Sequence, residues 1–239
     1  MISEPTRKMI RARLPGLVCV SVLCGILSLG LWPFHRPRNA VTWVGDRDGL
    51  EFGDYGTVRS SGTFQMVGSP DAVSSSLEIW CEPELTSDSN TMLVFSTSQN
   101  PLQFSLHQNL SNLILKREVR GGQRRSETVG ISDVFRHGRP VFVTITSGPG
   151  GSATYVDDVI ASAFSQLRLD LTGELEIGTS PIVSDAWRGV LRGLAVYYRE
   201  LTAPKCAGIM RHGSDTHGRK SQPTSVPLGF IFLMSKPAP

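Results

Sequence analysis

The sequence predicts an all-β fold, a sandwich of two antiparallel sheets. Three observations predict it. From Arg139 to Leu201 the chain is a run of short segments cut by Gly, Pro and Asp turns. Within them residue types alternate: Val141, Val143 and Ile145 fall on one face, and Phe142, Thr144 and Thr146 on the other. Upstream, similar segments recur at short, regular spacing over residues 74–82, 91–96, 104–108 and 112–118.

Each element has its own justification. Residues 140–147 are rich in β-branched side chains and read as a strand. Ser147-Gly148-Pro149-Gly150-Gly151 reads as a turn, because no strand tolerates that composition. Residues 153–156 and 159–164 flank Asp157-Asp158 and make a hairpin. Leu175 and Ile177 alternate with Glu174 and Glu176. Residues 189–198 close the set, with Leu194, Val196 and Tyr198 expected on one core face and Leu175 and Ile177 on a neighbouring strand. The first strands are expected within residues 39–60, with turns at 45–49 and 53–54. Residues 120–127 are polar and charged and read as an exposed hairpin tip. Residues 131–135 lead into the main run, and residues 202–211 suit a short helix after the last strand.

Charge is unevenly spread. The chain of 239 residues carries a formal charge of +3, but residues 1–38 hold +5 and residues 205–239 hold +4, leaving −6 in the body. An acidic body argues against a nucleic-acid partner. Arg7, Lys8, Arg11 and Arg13 precede an uncharged apolar run from Leu14 to Phe34. About 20 such residues suffice to cross a bilayer, and Trp32 and Phe34 suit its interfacial aromatic belt. The basic flank before the run outweighs Arg36 and Arg38 after it, so the rule of positive charge inside places residues 1–13 in the cytoplasm and the body outside. No small-x-small cleavage site precedes Pro33, which favours an uncleaved anchor over a signal peptide. The expected organisation is a basic tail (1–13), a transmembrane helix (14–34), a linker (35–38), one β domain (39–211) and a flexible tail (212–239).

The body also carries a specific resemblance. Tyr155-Val156-Asp157, Leu175-Glu176-Ile177-Gly178, Trp187-Arg188-Gly189, Gly193-Leu194-Ala195-Val196-Tyr197 and Leu201-Thr202 follow one another in the order of a laminin-G-like, concanavalin A-like domain. Asp158 stands where that family usually has Gly, and Asp tolerates the left-handed turn better than most residues. The resemblance spans residues 39–210 and implies a two-sheet antiparallel jelly roll. It is closest to bacterial proteins that join this module to a VanZ-like membrane domain. Pro227-Leu228-Gly229-Phe230 resembles the opening of that domain's first helix, but its later helices are absent from this sequence.

Glycoside hydrolases also use this jelly roll, and some carry E-[IL]-D-x-E on a strand. Here the corresponding run is Glu78-Ile79-Trp80-Cys81-Glu82. Both Glu positions match and share a face, but Trp80 replaces the acid that would orient the pair and separate its two pKa values. The expectation is that Glu78 and Glu82 are exposed, unperturbed and not catalytic. Calcium needs six to eight oxygens from converging loops. The weak candidates are Asp46, Asp48, Asp54, Asp157, Asp158 and Asp185, against the simpler expectation that these acids serve their own turns and that no cofactor is bound. The five histidines include no pair at helical metal spacing, and His107 reads as an ordinary strand residue. No C-x-x-C pair suggests zinc, while a Cys81–Cys206 disulfide is open outside the cytoplasm. The expected function is a lectin-like module held at the bacterial cytoplasmic membrane by Leu14 to Phe34, single-pass, binding a carbohydrate or a protein without catalysis. The alternatives are a structural or sensor part of a truncated VanZ-like protein, and a glycoside hydrolase using Glu78 and Glu82.

Overall fold

The computed structural model describes residues 4–31, 39–45, 49–66, 74–121, 123–165, 167–182, 186–201 and 231–232. The chain divides into two units, Met1–Arg38 and Asn39–Pro239. The first contains helix α1 (Glu4–Leu31) with Pro15 inside it. Val18, Val20, Val22, Leu23, Ile26, Leu27 and Leu29 along it are exposed. Among the described residues no helix is long and apolar enough to cross a membrane. Residues 32–34 of the expected span, and the side chains of Leu14 and Leu17, lie outside the described part.

The second unit is β throughout its described residues. In chain order its strands are β1 (Val41–Val44), β2 (Gly49–Phe52), β3 (Val58–Phe64), β4 (Ser75–Pro83) and β5 (Ser89–Ser96). Next come β6 (Phe104–Asn109), β7 (Asn112–Gly121), β8 (Gln123–Ile131), β9 (Val141–Gly148) and β10 (Gly151–Val156). The last are β11 (Val159–Phe164), β12 (Gly173–Ile177), β13 (Gly189–Tyr197) and β14 (Ile231–Phe232). They make two antiparallel sheets. The first has the order β1-β2-β13-β4-β9-β10-β11, with β14 paired to β13; the second has the order β3-β12-β5-β6-β7-β8. This is a jelly-roll sandwich.

Alternation builds the core between the sheets. Leu77, Ile79 and Cys81 on β4, Val143 and Ile145 on β9, and Leu191, Leu194 and Val196 on β13 point inward from the first sheet. Leu93 and Phe95 on β5, Leu106 on β6, Leu113 and Leu115 on β7, and Leu175 and Ile177 on β12 meet them from the second. Leu175 and Ile177 therefore face β13 across the core instead of flanking it. Tyr198 lies past the end of β13 and is partly exposed, so it does not join Leu194 and Val196. Trp187 is fully buried, tilted against Phe52 at 5.8 Å, and donates its indole N–H to Gln108 Oε1 at 3.0 Å. That bond satisfies the polar edge of the bulkiest buried side chain among the described residues.

Two turn expectations are settled. Asp157 and Asp158 both have positive φ (49° and 69°) between β10 and β11, the conformation of a two-residue hairpin loop. The tip at 120–127 is shorter than its polarity suggests. β7 and β8 stay paired from Leu113↔Ile131 to Gly121↔Gln123, so most of that segment is strand. The 202–211 helix and the Pro227–Phe230 motif lie outside the described residues, while Ile231 and Phe232 pair with Ala195 and Leu194.

Registers also define two ends. Asn39 exchanges hydrogen bonds with the Thr57 backbone at 2.7 and 2.9 Å, beside the Val58↔Ile177 pair. At the far end of the same two strands lies Phe64↔Gly173. The row continues through Glu174↔Ser96, Phe95↔Phe104 and Phe104↔Arg117. The chain thus enters the domain at one end, and these residues gather at the other.

Candidate functional site

The site that stands out is on the outer face of the second sheet, running from Arg59 and Glu176, next to the Val58↔Ile177 pair, to Gly173 and Ser96 at the other end. There β3, β12 and β5 and their loops line a recess of about 600 Å³. Glu174 and Glu176 occupy its floor, since the alternation that sends Leu175 and Ile177 into the core turns them outward. Arg59, the register partner of Glu176 on β3, donates to Glu176 Oε2 at 3.0 Å. The Glu176 side chain is only 8% exposed, whereas Arg59 is 59% exposed and reaches over it. Glu174 is exposed. Thr63, Ser96, Thr97, Ser98 and Thr172 ring the recess with hydroxyls, and Pro101 and Pro181 stand among its walls.

Backbone geometry holds this recess open. Gly173 has φ of +111°, and a Cβ there would collide with the Ser96 carbonyl. Thr97 and Asn100 close the adjoining loop by exchanging backbone bonds at 2.8 and 3.2 Å, and the Asn100 side chain donates to the Glu118 carbonyl at 2.8 Å. Gln103 donates to the Thr172 carbonyl at 3.2 Å. Phe64 is the aromatic residue in the lining, and it is buried. The recess therefore offers hydroxyls, a carboxylate and a guanidinium, groups that exchange hydrogen bonds with a polyhydroxylated ligand.

Glu78 and Glu82 behave differently from each other. They do share the outer face of the first sheet with Trp80, as the alternation requires. Yet Glu78 is completely buried, against the expectation that it is exposed and unperturbed. The cause is the segment after β13: Ser76 Oγ donates to the Arg199 carbonyl at 2.9 Å and accepts from the Leu201 N–H at 3.0 Å, drawing the chain back over this face. Ala195, Tyr197 and Leu201 form a small apolar cluster there with Tyr155. Burial pushes the Glu78 carboxyl up to about 7; the Tyr197 hydroxyl, donating to Oε2 at 2.9 Å, works against the rise. Glu78 Oε1 is buried without a hydrogen-bond partner. Glu82 instead accepts from Arg192 at 2.7 Å, and that guanidinium lies 5.5 Å from the centre of the Trp80 ring. The two carboxyls thus serve different local structures, and neither lies in the recess.

Of the calcium candidates, Asp54, Asp157 and Asp158 are described. Asp157 accepts from Arg139 at 2.7 Å and from the Phe142 N–H at 3.0 Å, which ties it to its turn. Asp54 is exposed beside Arg188 at 3.9 Å. Asp46, Asp48 and Asp185 lie outside the described residues. Among the described residues no group of three or more His, Cys, Asp or Glu side chains could hold a metal. Cys81 is a thiol buried in the core, where burial pushes it up to about 12; Cys206, its possible disulfide partner, lies outside the described residues. His107 Nδ1 and Nε2 lie 3.1 and 2.9 Å from the Thr91 and Ser105 hydroxyls, and burial pushes its imidazole down to about 4.

The Glu174/Glu176 alternation is visible in the sequence, but the reading above does not tie it to a site. Arg59 lies 117 residues away from its partner. The signal that would have pointed there is the pair of carboxylates on one face of a strand, with Gly178 just beyond it.

No family model matches the chain, and no curated protein matches it. Solved structures do. The binding domain of botulinum neurotoxin DC, determined in complex with rat synaptotagmin II, is 14% identical with a TM-score of 0.55, over 74% of this chain and 45% of that one. The receptor binding domain of botulinum neurotoxin D is 15% identical with a TM-score of 0.53, over 75% of this chain and 47% of that one. This chain spans less than half the length of these neighbours. At such identity the likeness defines the fold, a jelly-roll sandwich of the kind found in receptor-binding domains.

Proposed function

We propose that the chain is a lectin-like binding module that holds a carbohydrate in the recess formed by Arg59, Glu174, Glu176 and the surrounding hydroxyls, without catalysing its cleavage. One observation carries this reading: an open, hydroxyl-lined recess that also holds a carboxylate and a guanidinium lies on the outer face of the second sheet. In this reading Leu14 to Phe34 is a single-pass anchor in a bacterial cytoplasmic membrane, with the body outside. The apolar run and its basic flank support the anchor. The neighbours determined in complex with synaptotagmin II and with SialylT support a binding role for this fold. Against hydrolysis, Arg59 occupies an oxygen of Glu176, and Glu78 and Glu82 line no recess with it. Pro227-Leu228-Gly229-Phe230 favours a second reading, in which the module stands ahead of a VanZ-like membrane domain.

The test is a glycan array probed with the full-length chain in detergent, then titration of any bound neutral oligosaccharide against Glu174→Gln and Arg59→Ala. Binding should fall in both variants at unchanged melting temperature. Absence of any glycan ligand, or wild-type binding by both variants, overturns the recess as the site. Protease added to intact spheroplasts should degrade the body; protection until lysis overturns the orientation.

A further inference from the structure

We infer that the β7–β8 ribbon is a second binding element, one that takes the carboxylates of an anionic polysaccharide whose sugar chain also enters the recess. The inference rests on the carbohydrate-binding reading above and adds the ligand's charge.

Four observations lead to it. First, residues 116–127 hold five basic side chains, Lys116, Arg117, Arg120, Arg124 and Arg125, against Glu118 and Glu127. This net charge of +3 stands within a body of net −6. Second, the charge gathers where the ribbon leaves the sheet. β6 pairs with β7 only as far as Phe104↔Arg117, and beyond it β7 and β8 pair with each other to Gly121↔Gln123. Third, the pairing places Arg120 directly opposite Arg124, next to Val119↔Arg125. Like charges directly opposite one another destabilise a ribbon. A charged edge strand guards against edge-to-edge pairing, but that need is met along the strand and does not call for arginines opposed across its tip. Arg117 is partly answered by Glu127 at 3.9 Å, while Lys116 and Arg125 are exposed.

Fourth, the ribbon and the Gly173–Ser96 part of the recess share an end of the sandwich and are physically joined. Ser96 and Thr97 line the recess; the loop after them is fixed to the ribbon by Asn100 bonding to the Glu118 carbonyl and by the Glu118 N–H bonding to the Gln103 carbonyl at 3.3 Å. From β12 to β7 is three strand spacings and from β3 to β7 four, roughly 14 and 19 Å. A polymer seated at Glu174 and Arg59 reaches that far within a few sugar rings. Arginine suits carboxylates because its planar fork matches them in bidentate fashion.

The experiment uses the full-length chain in a neutral detergent. Binding of polygalacturonate is compared with its methyl ester, which keeps the backbone and removes the charge. Polygalacturonate should bind roughly tenfold or more tightly than the ester at low salt, and the advantage should shrink as salt screens it. The triple variant Arg120→Ser, Arg124→Ser, Arg125→Ser should lose the advantage yet keep the wild-type affinity for the ester and the wild-type melting temperature. Equal binding of polymer and ester by the wild type, or an undiminished preference in the triple variant, overturns the inference while leaving the recess reading intact. Loss of ester binding in Glu174→Gln separates failure of the recess from failure of the ribbon. Ribbon-dependent binding of anionic phospholipid vesicles with no binding of polygalacturonate overturns it in favour of a membrane surface.

Discussion

Replacing Glu78 by Gln should make the protein more stable at high pH and leave it nearly unchanged at low pH. Glu78 is fully buried, its carboxyl is pushed up to about 7 by loss of solvent, and its ordinary value is 4.5. The folded state therefore holds a proton that the unfolded chain releases between pH 4.5 and 7. By linkage, stability is fully present below pH 4.5 and declines as pH rises through 7. At about 1.4 kcal/mol per pH unit, the loss amounts to about 3 kcal/mol above pH 8. Gln has nearly the same shape, still accepts from the Tyr197 hydroxyl, and has no charge to bury. Urea denaturation of the wild type and Glu78→Gln at pH 5 and pH 8.5 measures this. The variant should gain about 2–3 kcal/mol relative to the wild type at pH 8.5, and its own stability should lack the alkaline decline. An equal difference at the two pH values, or a variant weaker at pH 8.5, refutes a buried, protonated Glu78.

Four further outcomes concern the core and the recess. His107 is pushed down to about 4 by burial, so the stability tied to its neutral form is present above pH 6.5 and lost as pH falls through 4; His107→Gln should flatten the acid limb of a denaturation profile. Val196→Asp places a carboxylate between the sheets and should cost several kcal/mol, read as a fall in melting temperature. Gly173→Ala forces a Cβ toward the Ser96 carbonyl at positive φ and should cost about 1–3 kcal/mol in urea denaturation, with weaker glycan binding. Cys81, buried and pushed up to about 12, should resist iodoacetamide in the folded chain at pH 8 and react in urea, as mass spectrometry would read.

Strands with an apolar face are legible in the sequence, because alternation reports burial on one side. β4, β9 and β13 carry Leu77, Ile79, Val143, Ile145, Leu194 and Val196 at every second position, and all are core. β8 is not legible in the same way. Its residues 123–128 are polar, and their strand conformation comes from pairing with β7 at the edge of the sheet. Alternation also says which residues share a face but not what covers that face. It places Glu78 and Glu82 together correctly, yet the fold-back after Tyr197 that buries Glu78 depends on Ser76 meeting Leu201 across 125 positions. For the same reason Leu175 and Ile177 are recognisably inward-facing, while their membership of the opposite sheet is a matter of connectivity.

The two outer faces of the sandwich differ in what covers their polar groups among the described residues. On the first sheet, the residues after β13 return across the strands and close over Glu78, Tyr197 and Ala195, so the polar groups there bond inward. On the second sheet, the described residues around β12 leave a recess on the outer face, and Gly173 keeps Ser96 close without a side chain between them. Polar side chains at equivalent positions on two strands thus have opposite fates. Glu78 on β4 is stabilised by staying protonated under a lid of apolar residues, whereas Glu174 on β12 remains exposed with hydroxyls and a guanidinium around it. A buried carboxyl with a raised pKa is a common mark of catalysis, but here it lies on the closed face. The groups able to meet a ligand sit on the open one, beside a ribbon of arginines at the end away from the chain's entry. That separation is why we propose recognition at the second sheet and give Glu78 a part in stability.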